Sequence, residues 1–249
     1  MKLIVLVNYT KYTEKEDMAK VMAELDSKIN QKLQKDYDLI SADYALKRRY
    51  LDEKMRQMAK YLQPGTRVLD LGCGNGRFFA LVPQGCQYLG LDFSKNLLAI
   101  AQHRYPRGRF VYGDMTDEKI WTKLGQSDQI FSFASFHHLM SRQKQLKTLK
   151  LCFKHLKKNG LLIIVVWNLW QLKYWLLHLK QLSIHRLLIP YRLSDGHQVI
   201  KQINRLYYAF TPRELKKLAQ KAGFEIKREF FIDGRTILDA KEFGIIARK

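Results

Sequence analysis

The chain has 249 residues, of which 47% are hydrophobic, and its 44 Lys and Arg against 23 Asp and Glu leave a formal net charge of +21. This length and hydrophobic content argue against a disordered chain and favour one substantial core with additions. No run reaches the roughly 18 apolar residues of a membrane span, and the cysteines lack the C-x-x-C spacing of a zinc site or redox motif.

The N-terminal residues 1–36 are predicted to form an arm: a short strand or extended segment and then a helix near residues 15–32. The apolar run at residues 3–7 is too short for a signal peptide and lacks a small-residue cleavage site. We therefore expect a cytoplasmic protein. Apolar residues at helical spacing predict a second helix over residues 37–62, which Pro64 and Gly65 end.

The most informative stretch is Val68-Leu-Asp-Leu-Gly-Cys-Gly-Asn-Gly-Arg77. It predicts a buried strand that turns into a helix on Gly72, Gly74 and Gly76, which let a ligand approach the backbone closely. The spacing G-x-G-x-G is one residue shorter than the G-x-G-x-x-G of dinucleotide folds. Asp70 would repel a pyrophosphate, but it is an acceptor for an ammonium group or ordered water. The predicted ligand is an uncharged ribose that carries an amino acid.

Two further predicted strands, residues 87–92 and 109–114, also end on carboxylates, Asp92 and Asp114. Asp92 suits the two hydroxyls of a ribose, and Asp114 suits the exocyclic amine of an adenine. Because the carboxyl ends of parallel strands line one crevice, Asp70, Asp92 and Asp114 are expected to converge on one ligand. The alternative is that each aspartate caps the helix that follows it.

The remaining chain continues the alternation of strands and helices. We predict strands at residues 129–134, 161–167, 224–231 and 244–249, and helices at 141–158, capped by Asn159 and Gly160, and from Thr211 to Gly223. Residues 168–210 form an insertion rich in aromatic and basic residues, predicted to be a helical lid over the substrate. The predicted domains are thus the arm at 1–36 and an α/β domain at 37–249.

From about Tyr37 onward the chain resembles the class I S-adenosylmethionine-dependent methyltransferases. The resemblance implies a doubly wound, Rossmann-like sheet of about seven strands, mostly parallel, with the last strand antiparallel. It also implies S-adenosylmethionine as the cofactor and no metal. The residues expected to bind the cofactor are Asp70, Gly72, Cys73, Gly74, Asn75, Gly76, Asp92, Phe93, Asp114, Met115 and Ser135.

Three segments, at residues 136–139, 166–171 and 207–210, are similar to the tRNA wobble-uridine carboxymethyl methyltransferases. Trp170 and Ala209 stand where that family has Glu and His. A carboxylate acceptor is already ionised at pH 7, so it needs a cation to position it rather than a base. The candidate catalytic residues are Arg205, His137, His138 and Tyr208. The alternative for the histidines is packing against the adenine or capping the next helix, and for one of the two tyrosines, Tyr207 and Tyr208, it is core packing. The resemblance also implies a small zinc-binding activator protein.

The net charge suggests the partner. Between Asp128 and Glu214 the only acid is Asp195, whereas bases are frequent. Such a basic face is typical of nucleic-acid binding, and we predict a tRNA partner. Two alternatives remain: a methyltransferase for a lipophilic molecule at a membrane surface, because leucines 169, 172, 176 and 179 form one stripe, or a non-catalytic RNA-binding relative.

Overall fold

A computed structural model describes residues 15–194 and 198–249. The strand or extended segment predicted at the start of the 1–36 arm, and Asp195, therefore lie outside the described residues. The helices are α1 Lys15–Lys47, α2 Glu53–Ala59, α3 Lys95–Arg104, α4 Glu118–Leu124, α5 Arg142–His155, α6 Leu172–Gln181 and α7 Pro212–Lys221. The strands are β1 Arg67–Leu71, β2 Gln87–Asp92, β3 Arg109–Tyr112, β4 Ser127–Phe133, β5 Leu156–Trp167, β6 Arg186–Ser194, β7 Val199–Tyr208, β8 Glu225–Ile232 and β9 Glu242–Arg248.

Seven strands form the central sheet in the order β3-β2-β1-β4-β5-β9-β8. Strands β1 to β5 pair in parallel, and β9 is antiparallel to both of its neighbours. The predicted Rossmann-like sheet with a reversed last strand is confirmed. Because β2 and β4 lie on opposite sides of β1, the strand order reverses there, and the carboxyl ends of these strands border a crevice.

Apolar layers cover both faces of the sheet. One contains Trp121, Leu149 and Phe224 from the α4, α5 and α7 side, and the other contains Met58 of α2 with Phe78 and Phe131. The strands between these layers are buried on both faces, which explains their nearly continuous apolar sequences.

The prediction of separate helices at residues 15–32 and 37–62 is wrong. Residues 15–47 contain neither Gly nor Pro, and ion pairs one turn apart join Glu24 to Lys28 and Lys32 to Asp36. The helix therefore runs through the predicted domain boundary at residue 36. Leu33 and Tyr37 pack in one cluster with Leu97 of α3 and Tyr191 of β6, so α1 is part of the α/β domain.

The helix predicted at residues 141–158 ends earlier, at His155. The next residue, Leu156, pairs with Ser127 of β4, so pairing in the sheet overrides the helical pattern. Asn159 still adopts a left-handed conformation, with φ 64°, but within the β5 segment rather than at a helix cap.

The lid insertion is only partly helical, which corrects the prediction of a helical lid. Helix α6 is followed by β6 and β7, which form a two-stranded antiparallel sheet of their own. Leu187 and Tyr191 of β6, and Arg205 and Tyr207 of β7, are buried at even spacing, which is the period of a strand. No helix within residues 15–194 and 198–249 is long and apolar enough to cross a membrane.

Candidate active site

The glycine loop after β1 has the left-handed backbone conformation that its three glycines predict. Gly72, Gly74 and Gly76 have φ values of 73°, 56° and 74°, which favour glycine. A Cβ on Gly72 would lie 2.3 Å from the Cβ of Ser135, so the loop and the end of β4 approach too closely for any side chain. Gly74 has open space on its Cβ side, with only Tyr44 at 3.9 Å. The loop therefore presents bare backbone to the crevice.

The crevice is the strand-end cavity, which lies beyond the carboxyl ends of β1 to β4 and beneath α1. Its wall includes Asn30, Leu33, Tyr37, Tyr44, Gly72, Gly74, Asp92, Phe93, Asp114, Met115, Ser135 and His138. Seven of the predicted cofactor residues are in that set, namely Gly72, Gly74, Asp92, Phe93, Asp114, Met115 and Ser135. Helix α1 closes the cavity, and its residues Asn30 and Leu33 belong to the predicted arm, for which no role in the site was expected.

Two carboxylates face this cavity, and each is oriented by backbone or amide donors. Asp92 accepts from the backbone N–H of Gly74 at 2.8 Å and of Ser94 at 2.9 Å, so it also fixes the glycine loop. Burial raises the pKa of Asp92 to about 6, although these backbone hydrogen bonds oppose the rise. Asp114 accepts from the backbone N–H of Thr116 at 2.8 Å and from the Asn30 side chain of α1 at 2.9 Å.

Four of the predicted cofactor residues lie behind the loop instead of in the cavity wall. The Asp70 carboxylate accepts from the Tyr88 hydroxyl at 2.9 Å, and burial raises its pKa to about 7. Cys73 is buried, and the Asn75 side chain donates to the carbonyl of Arg48 at 3.2 Å. Gly76 begins the 3₁₀ turn Arg77–Leu81. These residues support the loop from its far side.

His137 and His138 are buried and uncharged, which corrects the expectation that they act as cations. Burial, followed by the charge of Arg205, lowers the pKa of His138 to about 3. Its Nδ1 donates to the Leu206 carbonyl at 3.3 Å, so its Nε2 accepts from the Tyr37 hydroxyl at 2.8 Å. Burial, with smaller contributions from nearby cations, also depresses the pKa of His137, whose Nδ1 accepts from the Trp167 backbone N–H at 3.1 Å. Both rings organise the site rather than carry charge.

The structure also separates Arg205 and Tyr208 from the cavity. The Arg205 guanidinium is enclosed by the rings of Tyr37, Tyr191 and Tyr207, at 5.2, 4.6 and 5.4 Å, and is only 3% exposed. Tyr208 points to the opposite side of β7, where it lies 3.5 Å from Glu214 and stacks on His185. Because side chains alternate along a strand, Tyr207 instead lies beside His137 and His138.

A second space, the lid cavity, adjoins the first and shares Tyr37, Tyr44, Phe133 and Ala134 with it. It encloses about 600 Å³ between the end of α1, the start of α6 and the β8–β9 connection. Ala134, at the junction, has φ 52°, a strained value for a residue with a side chain. The two spaces therefore adjoin each other at the end of β4.

Charged side chains line the lid cavity, and most of them are paired. Lys54 binds Glu242 at 2.6 Å and Asp52 at 3.1 Å, Arg77 binds Asp52 at 2.9 Å, Lys47 binds Asp43 at 2.8 Å, and Lys241 binds Asp233 at 3.2 Å. Arg48 and Lys173 have no carboxylate within ion-pair distance in the described parts of the chain. The Arg48 guanidinium lies 4.2 Å from the centre of the Tyr44 ring. Of these two cations, Arg48 is thus the one that lies against Tyr44, a residue that both cavities share.

Arg48, Tyr37 and Tyr44 precede the glycine strand, in the helix predicted over residues 37–62. No role in binding or catalysis was predicted for any of the three. The segments that resemble the tRNA methyltransferases suggested substrate residues in the lid, whereas α1 supplies this part of the lid cavity wall. Trp170, where the resembling family has Glu, donates to the Phe210 carbonyl at 2.9 Å and stacks on His178, so it serves to hold the lid together.

The residues of the strand-end cavity fit a nucleoside with an attached amino acid. Asp92 and Asp114 offer acceptors for hydroxyl and amine groups, Leu33, Phe93 and Met115 offer apolar contacts for a base, and the glycine loop offers room beside Gly74. When bound there, S-adenosylmethionine supplies a methyl group on a sulfonium, which is ready for direct displacement. The protein must hold donor and acceptor in contact and exclude water.

Known proteins agree with this description. A family model described as a methyltransferase domain matches residues 42–229. The tRNA (carboxymethyluridine(34)-5-O)-methyltransferase alkbh8 of Xenopus tropicalis is 29% identical over 161 residues, which cover 64% of this chain and 25% of that protein. The tRNA (carboxymethyluridine(34)-5-O)-methyltransferase of Arabidopsis thaliana is 28% identical, covering 53% of this chain and 31% of that one. The chain thus spans only about a quarter to a third of the length of these relatives.

A trans-aconitate 2-methyltransferase of Acidovorax ebreus is 38% identical over 102 residues, which cover 37% of this chain and 38% of that protein. Among solved structures, an S-adenosylmethionine-dependent methyltransferase of Clostridium acetobutylicum aligns with a TM-score of 0.62 at 15% identity, covering 88% of this chain and 98% of that one. At this identity the likeness concerns the fold. A glycopeptide N-methyltransferase, MtfA, aligns with a TM-score of 0.55 at 16% identity, covering 80% of this chain and 90% of that one, and its structure contains S-adenosylhomocysteine.

The family model matches most of the chain, and the glycine loop and the two acids of the strand-end cavity are those expected to bind the cofactor. The chain belongs to the methyltransferase domain family and is an S-adenosylmethionine-dependent methyltransferase.

Proposed function

We propose that this methyltransferase esterifies a carboxylate on an RNA, namely the carboxymethyl group of a modified wobble uridine in tRNA. The observation that carries the proposal is the free cation of Arg48 in the lid cavity, beside the strand-end cavity where the methyl donor binds. An arginine can hold a carboxylate through two parallel hydrogen bonds. A carboxylate held there would lie next to the donor site.

The chemistry needs little more than this placement. A carboxylate oxygen attacks the methyl carbon, the bond from methyl to sulfur breaks, and the sulfur leaves as a neutral thioether. With a pKa of about 4, the acceptor is ionised at neutral pH, so no general base is required. Two uncharged histidines, His137 and His138, are consistent with such a reaction.

The names of three relatives favour a carboxylate oxygen as the methyl acceptor. Two of those described above are named as methyltransferases of carboxymethyluridine, at the 5-O position, and a third as a methyltransferase of trans-aconitate. All of the named acceptors carry carboxyl groups. The basic residues between Asp128 and Glu214 favour tRNA over a small acid, since a polyanion would engage many of them at once.

Aromatic side chains near the lid cavity could receive a splayed base. Trp167 lines the cavity and stacks on Tyr207, with ring centres 5.0 Å apart and planes at 12°. Sequence-specific recognition of RNA commonly uses such faces on unstacked bases. The Tyr207 hydroxyl and His137 Nε2 are buried behind the Trp167 ring and have no hydrogen-bond partner among the described residues.

The test incubates the purified protein with labelled S-adenosylmethionine and with total tRNA from cells that lack this protein. We expect a labelled nucleoside whose mass matches a methyl ester and whose label is released by mild alkali, because esters hydrolyse where methylated bases and riboses do not. Trans-aconitate serves as a second acceptor in parallel. Label on trans-aconitate without label on tRNA, or label that resists alkali, would overturn the proposal.

The matched variants are Arg48→Gln and Arg49→Gln. Arg49 is adjacent, exposed and directed at Tyr50, outside the lid cavity wall. Only the change at Arg48 should raise KM for the acceptor. The small zinc-binding activator implied by the family resemblance stays a prediction, and the assay is also run with a cell extract to supply it.

A further inference from the structure

Helix α6 of the lid has apolar side chains on both of its faces. Tyr174 and Leu177 pack inward against the lid, whereas a second apolar stripe is turned outward. Four large apolar side chains face outward at positions i, i+3, i+4 and i+7: Leu172, Trp175, Leu176 and Leu179 are 70%, 55%, 67% and 65% exposed. Leu182 and Ile184, just after the helix, are 94% and 68% exposed. We call these six residues the α6 patch. No residue of α6 itself is buried.

The inward face of α6 is fixed by hydrogen bonds, so the outward direction of the patch is built in. Gln181 donates to the carbonyl of Leu188 at 2.9 Å and accepts from its N–H at 2.8 Å, which ties the helix to β6. The ring of His178 lies between the carbonyls of Leu169 and Ser183, with each nitrogen 2.9 Å from one of them. Turning the helix to bury its leucines would break these four contacts.

Charge next to the patch indicates what covers it. Lys173 and Lys180 are exposed on the same helix, and the described residues between Asp128 and Glu214 include no acid. An apolar stripe with a tryptophan, bordered by lysines and free of carboxylates, is the composition of helices that lie in the interface of anionic bilayers. At about 1.5 Å per residue, ten residues are too short to span the hydrocarbon core, so such a helix lies along the surface.

We propose that the α6 patch docks this enzyme on an anionic phospholipid surface. Two copies of the chain are a poorer match, because a symmetric contact would bring their lysines together. An RNA is also a poorer match, since five of the six patch residues are Leu or Ile and only Trp175 offers a ring face on which a base stacks. This proposal goes beyond the proposed function, because it concerns where the enzyme acts and holds for any acceptor.

Docking would have a structural consequence for the active site. Gln171, Lys173 and Tyr174, at the start of α6, line the lid cavity. A surface that holds α6 therefore also holds one wall of that cavity.

The experiment measures co-sedimentation of the full chain with vesicles of phosphatidylglycerol and phosphatidylcholine in equal parts, and with vesicles of pure phosphatidylcholine. We expect binding to the anionic vesicles that weakens with salt. Changing Leu172, Leu176 and Leu179 together to Ser should lower the partition coefficient at least about tenfold, since each apolar carbon withdrawn from the bilayer weakens binding. Lys180→Glu should weaken binding to the anionic vesicles by a smaller factor.

The matched control changes three exposed leucines elsewhere, Leu39, Leu46 and Leu238, to Ser; they are 49%, 65% and 54% exposed. This control should bind vesicles like the original protein, and both triple variants should keep the same affinity for S-adenosylmethionine, which verifies the fold. Three results would overturn the proposal. The two triple variants could lose vesicle binding equally, or the original protein could fail to bind the vesicles. The third is a concentration-dependent dimer of the original protein that is absent in the α6 variant. None of these results depends on methyl transfer to tRNA, so the two proposals fail separately.

Discussion

The two cavities of this enzyme are built in different ways. The strand-end cavity takes its main polar groups from strand ends close in sequence, between Gly72 and Ser135, and it is fixed by short contacts such as that of Gly72 with Ser135. The lid cavity assembles the end of α1, the start of α6 and the β8–β9 connection, which are far apart along the chain. The strand-end cavity thus depends on a local backbone shape, whereas the lid cavity, the proposed acceptor site, depends on the packing of remote segments. Four predictions test this difference.

The largest effect is expected from Gly72→Val. Its Cβ would lie 2.3 Å from that of Ser135, and the left-handed backbone adds strain, so together the change should cost about 4 kcal/mol. Calorimetry should detect no binding of S-adenosylmethionine. The control is Gly85→Val, where φ is also positive, 88°, but no atom lies within 4 Å. If both variants lose binding equally, backbone strain and not the loop–strand contact is responsible.

The buried carboxylate of Asp70 should make the free protein less stable at higher pH. Its folded pKa is raised to about 7, so its contribution is fully present below the unfolded pKa near 4 and is lost as pH rises through about 7. At about 1.4 kcal/mol per pKa unit, this loss is on the order of 3 to 4 kcal/mol. Urea unfolding from about pH 5 to about pH 8 should show the decline, and Asp70→Asn should flatten it. An unchanged slope in that variant would assign the decline to other groups.

Arg48→Gln should lower kcat/KM for the acceptor without changing the affinity for the methyl donor. Loss of a charge-assisted pair costs about 1.5 to 3 kcal/mol, so kcat/KM for the acceptor should fall about tenfold to a hundredfold. Calorimetric affinity for S-adenosylmethionine should stay the same, and Arg49→Gln should leave both constants unchanged. A matching loss of cofactor affinity at Arg48 would mean that the two cavities are not separate in function.

The smallest effect concerns His138, whose role is to orient Tyr37 at the junction of the cavities. Because its folded pKa is lowered to about 3, the pH profile of kcat/KM should show no limb near the ordinary histidine value of about 6.5. His138→Gln keeps one donor and one acceptor and should cost about 1 kcal/mol or less. A limb near the histidine value that disappears in this variant would show that the ring does titrate during turnover.

The sequence predicted the central sheet well because its strands are short apolar runs between strong turn signals. The glycine spacing and the acids of β2 and β3 also led to the cofactor, since both depend on residues adjacent in sequence. The lid hairpin was missed because its alternation is hidden among aromatic and basic residues, and the end of α5 because Leu156 pairs with Ser127 from another strand. The length of α1 was underestimated because the first 35 residues carry mixed charge and weak apolar periodicity, which did not connect them to the helix predicted from Tyr37.

What the sequence determined by itself is the donor side: a glycine turn with positive φ and carboxylates at the ends of neighbouring strands permit few ligands other than S-adenosylmethionine. Only the tertiary structure decided the acceptor side. It enclosed Arg205 among tyrosines, buried His137 and His138 in their neutral form, and left Arg48 without a carboxylate partner among the described residues. The physical reason is that charge state and access depend on burial and on contacts between remote segments, which residue identity and spacing do not reveal.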